Sequence, residues 1–206
     1  MRLLSRFSDR KEKNRALFVA VQSGAVSVLV PDSAVDTPPT HREPVDVKQS
    51  WTATVELLLD SGADIEARNE DGSTPLIWAS AYAQTEVVKV LIHRGAKLDV
   101  TDNDGNTPLI AAACECALAT MNSAYDTVKI LLDMGCNVNA RSKNGITALM
   151  NAASGFGGAS IVELLLQSGA SPRLKDRHGN TVLSLARRSH REDKVQLITN
   201  ALARAN

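Results

Sequence analysis

The sequence is poor in aromatic residues and has no excess of either charge. Phe, Trp and Tyr make up 3% of its 206 residues, whereas hydrophobic residues make up 44%, so a core must consist mainly of Leu, Val, Ile and Ala. Its 23 basic residues are balanced by 23 acidic residues. Bulk attraction to nucleic acid or to an anionic membrane is therefore not expected.

Long apolar runs are also missing, and there are only three cysteines. The N-terminus has no apolar run of the length of a signal peptide, and no stretch approaches the roughly 18 apolar residues of a membrane span. An odd number of cysteines without a secretion signal indicates reduced thiols. We therefore expect a soluble, cytoplasmic protein that does not contact a membrane.

The sequence does contain a repeated motif. In the stretch 103–113, Asp104-Gly105 predicts a tight turn, Thr107 is suited to cap a helix, and Pro108 is suited to the first helical position. Three sets of markers recur with steps of 33, 40 and 34 residues. They are the turn glycines Gly72, Gly105, Gly145 and Gly179, the threonines Thr74, Thr107, Thr147 and Thr181, and the helix-ending glycines Gly62, Gly95, Gly135 and Gly169. A period near 33 residues, with a turn and two helices in each unit, indicates a repeat solenoid.

The repeats resemble those of the ankyrin family. Gly105-Asn106-Thr107-Pro108-Leu109 is similar to the family's G-x-T-P-L opening, and residues 55–65 are similar to its V-x-L-L-x-x-G-A-D-V-N closing. The resemblance covers about residues 52–186. It implies an all-α repeat fold, an ankyrin solenoid of stacked β-turn and helix-turn-helix units with capping terminal helices.

We predict one repeat domain over residues 14–206, preceded by a polar segment at 1–13. Its units would span about 14–68, 69–101, 102–141, 142–175 and 176–206, and the last would be a C-terminal cap. The first unit contains an inserted loop at 25–50 with four prolines and one apolar patch, 26–30. This loop is either a tolerated surface insertion or an extended segment that packs on the solenoid or on a partner. Seven extra residues in the third unit are expected to lengthen its first helix.

No group of residues predicts catalysis or a cofactor. Cys114-x-Cys116 could supply two zinc ligands, but no second pair of Cys or His residues accompanies it. The glycine-rich stretch 155–158 lacks the Lys-Ser/Thr of a phosphate-binding loop. We therefore predict a protein that is not an enzyme and that holds no metal or cofactor.

The family resemblance implies that partner-binding residues lie at the hairpin tips and on the exposed side of each first helix. Tyr82 is the best candidate for an aromatic anchor. Trp78 is instead expected to pack in the core, because the family usually has a buried Leu at that position. The predicted partner-binding residues, carried over by position, are Arg68, Glu70, Asp71, Ser73, Tyr82, Asn103, Asp104, Asn106, Glu115, Arg141, Lys143, Asn144, Ile146, Lys175, Arg177 and His178.

Charge is unevenly distributed along the repeats. The stretches 64–73, 97–107, 137–147 and 171–181 carry net charges of −3, −2, +2 and +2. These charges either keep the solenoid in solution or match a protein partner of opposite polarity. The main hypothesis is a monomeric protein-binding scaffold that does not bind nucleic acid. The alternative is a dedicated inhibitor or immunity-type protein that occludes one enzyme or toxin, with the loop 25–50 taking part.

Overall fold

The computed structural model describes residues 9–23, 47–114, 121–155 and 158–204. These residues form helices and no strand; the nearest approach to a strand is an isolated antiparallel bridge between Lys175 and Thr181. The predicted all-α repeat is therefore confirmed. The helices are α1 Arg10–Ser23, α2 Val47–Asp60, α3 Pro75–Ala81, α4 Thr85–His93, α5 Pro108–Ala113, α6 Met121–Asp133, α7 Ala148–Ser154, α8 Ala159–Gln167, α9 Val182–Arg188 and α10 Glu192–Arg204. None of them is long and apolar enough to cross a bilayer.

Each of the short helices α3, α5, α7 and α9 begins directly after a capping threonine. The Thr107 hydroxyl accepts the backbone N–H of Ile110 at 3.3 Å, and Thr74 and Thr147 form the same bond with the third residue after them. Thr181 forms a capping box with Ser184. These bonds satisfy N–H groups that have no partner within the helix. The helix starts therefore occur where the repeated threonines place them.

The helices are arranged in two layers. The inner layer contains α1, α3, α5, α7 and α9, and each of these helices packs on the next along the chain. The outer layer contains α2, α4, α6, α8 and α10, which are stacked in the same order. Inner helices pack closely because small residues face their neighbours: Ala79, Ala112, Ala152 and Ala186 are all buried.

The core lies between the two layers and continues along the whole stack. Leu76, Leu109 and Leu149 of the inner layer are buried, as are Leu91, Leu131 and Leu165 of the outer layer. Each unit therefore buries its apolar side chains against its neighbours, as stacked repeats must.

The N-terminal helix begins earlier than the sequence indicated. Four residues of the predicted polar segment 1–13 belong to α1, which starts at Arg10. They are held because the Lys13 ammonium donates to the Ser61 carbonyl at 2.7 Å and Arg10 forms an ion pair with Asp64 at 2.9 Å. Basic residues at this end thus bond the turn that follows α2.

Two boundaries differ from the prediction. The last four residues of the predicted loop 25–50 are helical, since α2 starts at Val47 and no proline occurs between Pro44 and Pro75. In the third unit, α5 is not lengthened but ends at Ala113, and α6 starts early, at Met121. The added turn of α6 is stabilised because it buries Ala124 and offers the Ser123 carbonyl to the Thr85 hydroxyl at 3.2 Å.

Candidate functional site

The hairpins between successive units are joined by a ladder of backbone hydrogen bonds. The N–H of Asn103 donates to the carbonyl of Asp71 at 2.9 Å, and the N–H of Lys143 donates to the carbonyl of Asp104 at 2.8 Å. The same bond recurs between Arg177 and the carbonyl of Asn144 at 2.9 Å. The four hairpin tips therefore form one continuous row.

Three of the predicted partner-binding residues also hold this row together. One guanidinium nitrogen of Arg68 donates to the carbonyl of Thr101 at 2.7 Å, and Arg141 donates to the carbonyl of Lys175 at 2.7 Å. The side-chain amide of Asn103 donates to the carbonyl of Glu70 at 3.1 Å. Each bond links a hairpin to its neighbour, so a substitution of these residues would disturb the scaffold as well as any contact with a partner.

Two positions in each hairpin leave their side chains exposed at the tip, and we call these eight residues the tip row. Its members in chain order are Glu70 and Asp71, Asn103 and Asp104, Lys143 and Asn144, and Arg177 and His178. The formal charge of successive pairs, with histidine neutral, is −2, −1, +1 and +1. The charge of the row thus changes from acidic to basic along the stack, and the change falls between the adjacent hairpins of Asp104 and Lys143.

The charged members of the tip row form no ion pair with any other described residue. Ion pairs occur elsewhere, for example between Asp60 and Arg94 at 2.6 Å and between Lys129 and Asp133 at 3.0 Å on the outer helices. The Arg94 guanidinium lowers the pKa of the Asp60 carboxyl, chiefly through their hydrogen bond. Opposite charges are therefore paired on the outer layer and left unpaired along the tips.

Some charges that contributed to the predicted polarity are used within the scaffold. The Glu66 carboxylate accepts the N–H of Lys97 at 2.8 Å, and the Asp99 carboxylate accepts the N–H of Asn137 at 3.0 Å. Both bonds join the loops that follow successive outer helices. The net charges of the whole stretches therefore include charges that already bond within the scaffold.

A first depression of about 320 Å³ lies between α3 and α5, beneath the second and third units' hairpins. The rings of Trp78 and Tyr82 are 5.2 Å apart and form part of its wall. Trp78 is half-buried and packs against the core, but it also lines this depression, which the core assignment from sequence did not include. The lining residues are Ser73, Ile77, Trp78, Ala81, Tyr82, Asp102, Asn106, Ile110, Ala111, Cys114 and Asn151.

A second depression of about 450 Å³ lies between α7 and α9. It combines apolar residues with Arg188, which is exposed and forms no ion pair in the described part of the chain, and with His178 at the hairpin tip. The lining residues are Ile146, Met150, Asn151, Ser154, Asp176, His178, Asn180, Leu185 and Arg188. Asn151 lines both depressions and therefore marks the boundary between them.

The Asp176 carboxylate in the second depression accepts hydrogen bonds from residues of its own turn. One oxygen accepts the backbone N–H groups of His178 and Asn180, both at 2.8 Å, and the other accepts the Asn180 side-chain amide at 2.7 Å. The hydrogen bond from the Asn180 side-chain amide is the main cause that lowers the pKa of Asp176 below its ordinary value of 3.8, and burial opposes this shift. This carboxylate shapes the hairpin and stays ionised.

The remaining predicted residues occupy varied positions. Ser73 is only 6% exposed, because Asn69 accepts its N–H and donates to its carbonyl, although Ser73 lines the first depression. Asn106 lines the first depression and Ile146 the second, and both are half-buried. Glu115, Cys116, the apolar patch 26–30 and most of the loop 25–50 lie outside the described residues. The inhibitor hypothesis that rests on this loop stays a prediction.

Lys194 is fully buried, which was not predicted from the sequence. Its ammonium donates to the carbonyls of Ala152 and Gly155 at 2.7 and 2.8 Å, at the C-terminal end of α7, where the helix dipole favours a cation. The run of charged residues from Arg187 to Lys194 resembles an exposed surface. A usable signal is the spacing of four residues between Lys194 and Ile198, which places both on the buried face of α10.

Comparison with known proteins identifies the repeats. A family model described as "Ankyrin repeats (3 copies)" matches residues 47–142 and 116–206. The chain is 34% identical over 82 residues to "Putative ankyrin repeat protein L271" of Acanthamoeba polyphaga mimivirus, an alignment that covers 40% of this chain and 11% of that protein. It is 42% identical over 69 residues to the mouse "B-cell lymphoma 3 protein homolog", covering 34% and 15% of the two chains.

A longer alignment is found with a relative that is much longer than this chain. The chain is 26% identical over 159 residues to "E3 ubiquitin-protein ligase hecd-1" of Caenorhabditis elegans, which covers 76% of this chain and 4% of that protein. The chain thus spans only a small fraction of the length of each of these three relatives. The similarity therefore does not extend to the whole of any of these relatives.

Proposed function

The chain belongs to the ankyrin-repeat family, and on that basis we propose that it is a non-catalytic scaffold that binds a protein partner along its tip row and inner helices. Ankyrin repeats are in general protein-interaction modules. We further propose that the chain acts as a cytoplasmic monomer and that residues 14–206 form a single repeat domain.

The observation that carries this proposal is the arrangement of unpaired charge in the tip row. Glu70, Asp71 and Asp104 lie at one end, Lys143 and Arg177 lie at the other, and none of them has an ionic partner among the described residues. Glu70 and Asp71 place two like charges side by side in one hairpin, which is unfavourable for the isolated chain. A partner of opposite polarity would relieve this repulsion, and the polarity of the row would guide it into one orientation.

The preorganisation of the surface also supports the proposal. The tips are fixed by backbone bonds of 2.8–2.9 Å, so the binding surface needs little ordering when a partner arrives. Less ordering means a smaller entropic cost of association. Charges held on such a row can therefore contribute to recognition more effectively than charges on free loops.

The test is quantitative affinity capture with charge-reversed variants of the full chain. We expect the double variant Lys143→Glu and Arg177→Glu to lose the partner that the wild type recovers, because both substitutions reverse the basic end of the row. Arg141 is left intact, because its bond to Lys175 supports the scaffold. The matched control reverses two exposed cations outside the tip row, Lys97 and Arg204.

The control should recover the partner at the wild-type level. Capture of the partner by the wild type should decline as the salt concentration rises. Equal recovery of the partner by the tip variant and the wild type, with both variants folded by circular dichroism, would refute binding through the tip row.

A further inference from the structure

The two depressions on the inner-helix face differ in what they can accept. The first depression has an aromatic wall, Trp78 and Tyr82, and contains Ile77 and Ile110. The one charged residue that lines it, Asp102, already accepts the N–H groups of Asp104 and Asn106 and the side-chain amide of Asn106. An apolar side chain would bury its surface here without leaving a charge unsatisfied.

The second depression offers a cation that no described residue neutralises. Arg188 is exposed and lies in the last turn of α9, and His178 lies across from it on the hairpin. Asp176 lines the same depression, but three donors already occupy its two oxygens. Exposed Lys175 and Arg177 add positive charge nearby in the chain. A guanidinium is well suited to bind a carboxylate through two parallel hydrogen bonds.

Asn151 connects the two depressions. Its side-chain nitrogen donates to the Ile110 carbonyl at 3.1 Å, which fixes the orientation of the amide. Its side-chain oxygen forms no hydrogen bond within the described part of the chain. That oxygen is available to accept a backbone N–H from a segment that crosses from one depression to the other.

From these three features we infer that the partner presents a linear segment with two anchors. One anchor is an apolar side chain in the first depression, and the other is a carboxylate bound by Arg188 in the second. The backbone between them donates an N–H to Asn151. This inference rests on the proposed function and specifies the chemistry of the partner at the same surface.

The experiment is a selection from a random peptide library displayed on phage, with the full chain as the immobilised target. The enriched peptides are then synthesised with a fluorescent label, and their dissociation constants are measured by fluorescence polarisation. We expect the enriched sequences to share an apolar residue and an acidic residue at a constant separation.

Two variants and two matched controls assign the anchors. Arg188→Glu should weaken binding of the acidic peptide about tenfold or more, and should bind a peptide with Lys in place of the acidic residue better than the wild type does. Arg187→Glu makes the same charge change in the same helical turn but outside the depression, so it should change affinity less than about twofold.

Tyr82→Ala tests the first depression. This substitution should weaken binding of the parent peptide about tenfold, and it should have little effect on the binding of a peptide whose apolar anchor is already Ala. The control is Tyr125→Ala on α6, the other tyrosine of the chain, which is half-buried and does not line either depression.

The outcomes separate this inference from the proposed function. Enriched peptides that lack a shared acidic residue, yet bind more weakly to Tyr82→Ala, would overturn the two-anchor inference and leave binding to the inner-helix face intact. Peptides that bind all four variants as well as the wild type would overturn the two-anchor inference, whereas the proposed function is overturned separately if the tip variant of the capture test recovers the partner like the wild type. A selection that enriches no common motif would also overturn the two-anchor inference.

Discussion

Replacement of Gly105 by alanine is expected to weaken the contact between neighbouring hairpins. Gly105 has a φ of +81°, and a Cβ atom at this position would lie 2.7 Å from the backbone nitrogen of Lys143. That nitrogen donates the 2.8 Å ladder bond to Asp104. The methyl group therefore requires the next hairpin to move, in addition to the unfavourable left-handed conformation of alanine.

The matched control is Gly179→Ala at the same position of the last hairpin. Gly179 has a φ of +77°, but a Cβ atom there would meet nothing within 4 Å. This variant therefore incurs only the conformational cost, about 1–2 kcal/mol. Gly105→Ala incurs that cost together with the loss of one backbone hydrogen bond, about 1 kcal/mol more.

The assay is urea unfolding followed by circular dichroism at 222 nm. With an m-value of about 2 kcal/mol per molar urea, the extra 1 kcal/mol corresponds to a difference of about 0.5 M between the midpoints of the two variants. Equal midpoints for the two variants would refute the view that the ladder contributes to stability.

Three further predictions concern the core, a thiol and acid stability. Leu131→Ala should lower the free energy of unfolding by about 2–5 kcal/mol, because Leu131 is fully buried, whereas Leu57→Ala, at a residue 53% exposed, should change it by less than about 0.5 kcal/mol in the same urea assay. Burial raises the pKa of the Cys136 thiol to about 12, so iodoacetamide at pH 8 should modify exposed Cys114 and spare Cys136 in a native peptide map; equal labelling would contradict this assignment. The lowered pKa of Asp176 means that its contribution to stability is present above its ordinary pKa of 3.8 and is lost as the pH falls through the lower folded value. Asp176→Asn should therefore reduce the loss of unfolding free energy between about pH 5 and pH 2. An unchanged pH dependence of stability in this range would contradict this role of Asp176.

Local signals in the sequence were sufficient to predict most of the scaffold. A threonine followed by proline and leucine specifies a helix start within a few residues, and Thr107 indeed caps α5. The end of α5 was predicted wrongly, because the sequence after Ala113 contains no proline that would stop a helix. Which helix gains the extra turn depends on what that turn can contact, and Thr85 of the preceding outer helix provides the contact for α6.

The candidate site was less predictable for a related reason. Position within the repeat correctly indicates that Arg141 and Lys143 lie near the hairpin tip. It cannot reveal that the Arg141 side chain reaches the Lys175 carbonyl of the next hairpin, whereas the Lys143 side chain forms no ion pair among the described residues. The same limit applies to Trp78, which contacts the core on one side and the first depression on the other. Contacts between units depend on how the units stack, and that information is not local in the chain.

The hydrogen bonds between the hairpins have a consequence for how this surface can change over generations. They join main-chain atoms, so they do not depend on the identities of the side chains in the tip row. A mutation that exchanges Glu70 for lysine would alter the charge presented to a partner while leaving these bonds available. Apart from Asn103, whose side-chain amide also donates to the Glu70 carbonyl, the residues of the tip row can therefore vary with little effect on folding, and the charges along the row can change one unit at a time. Substitutions in the tip row can in that sense change the charge offered to a partner while the fold is kept.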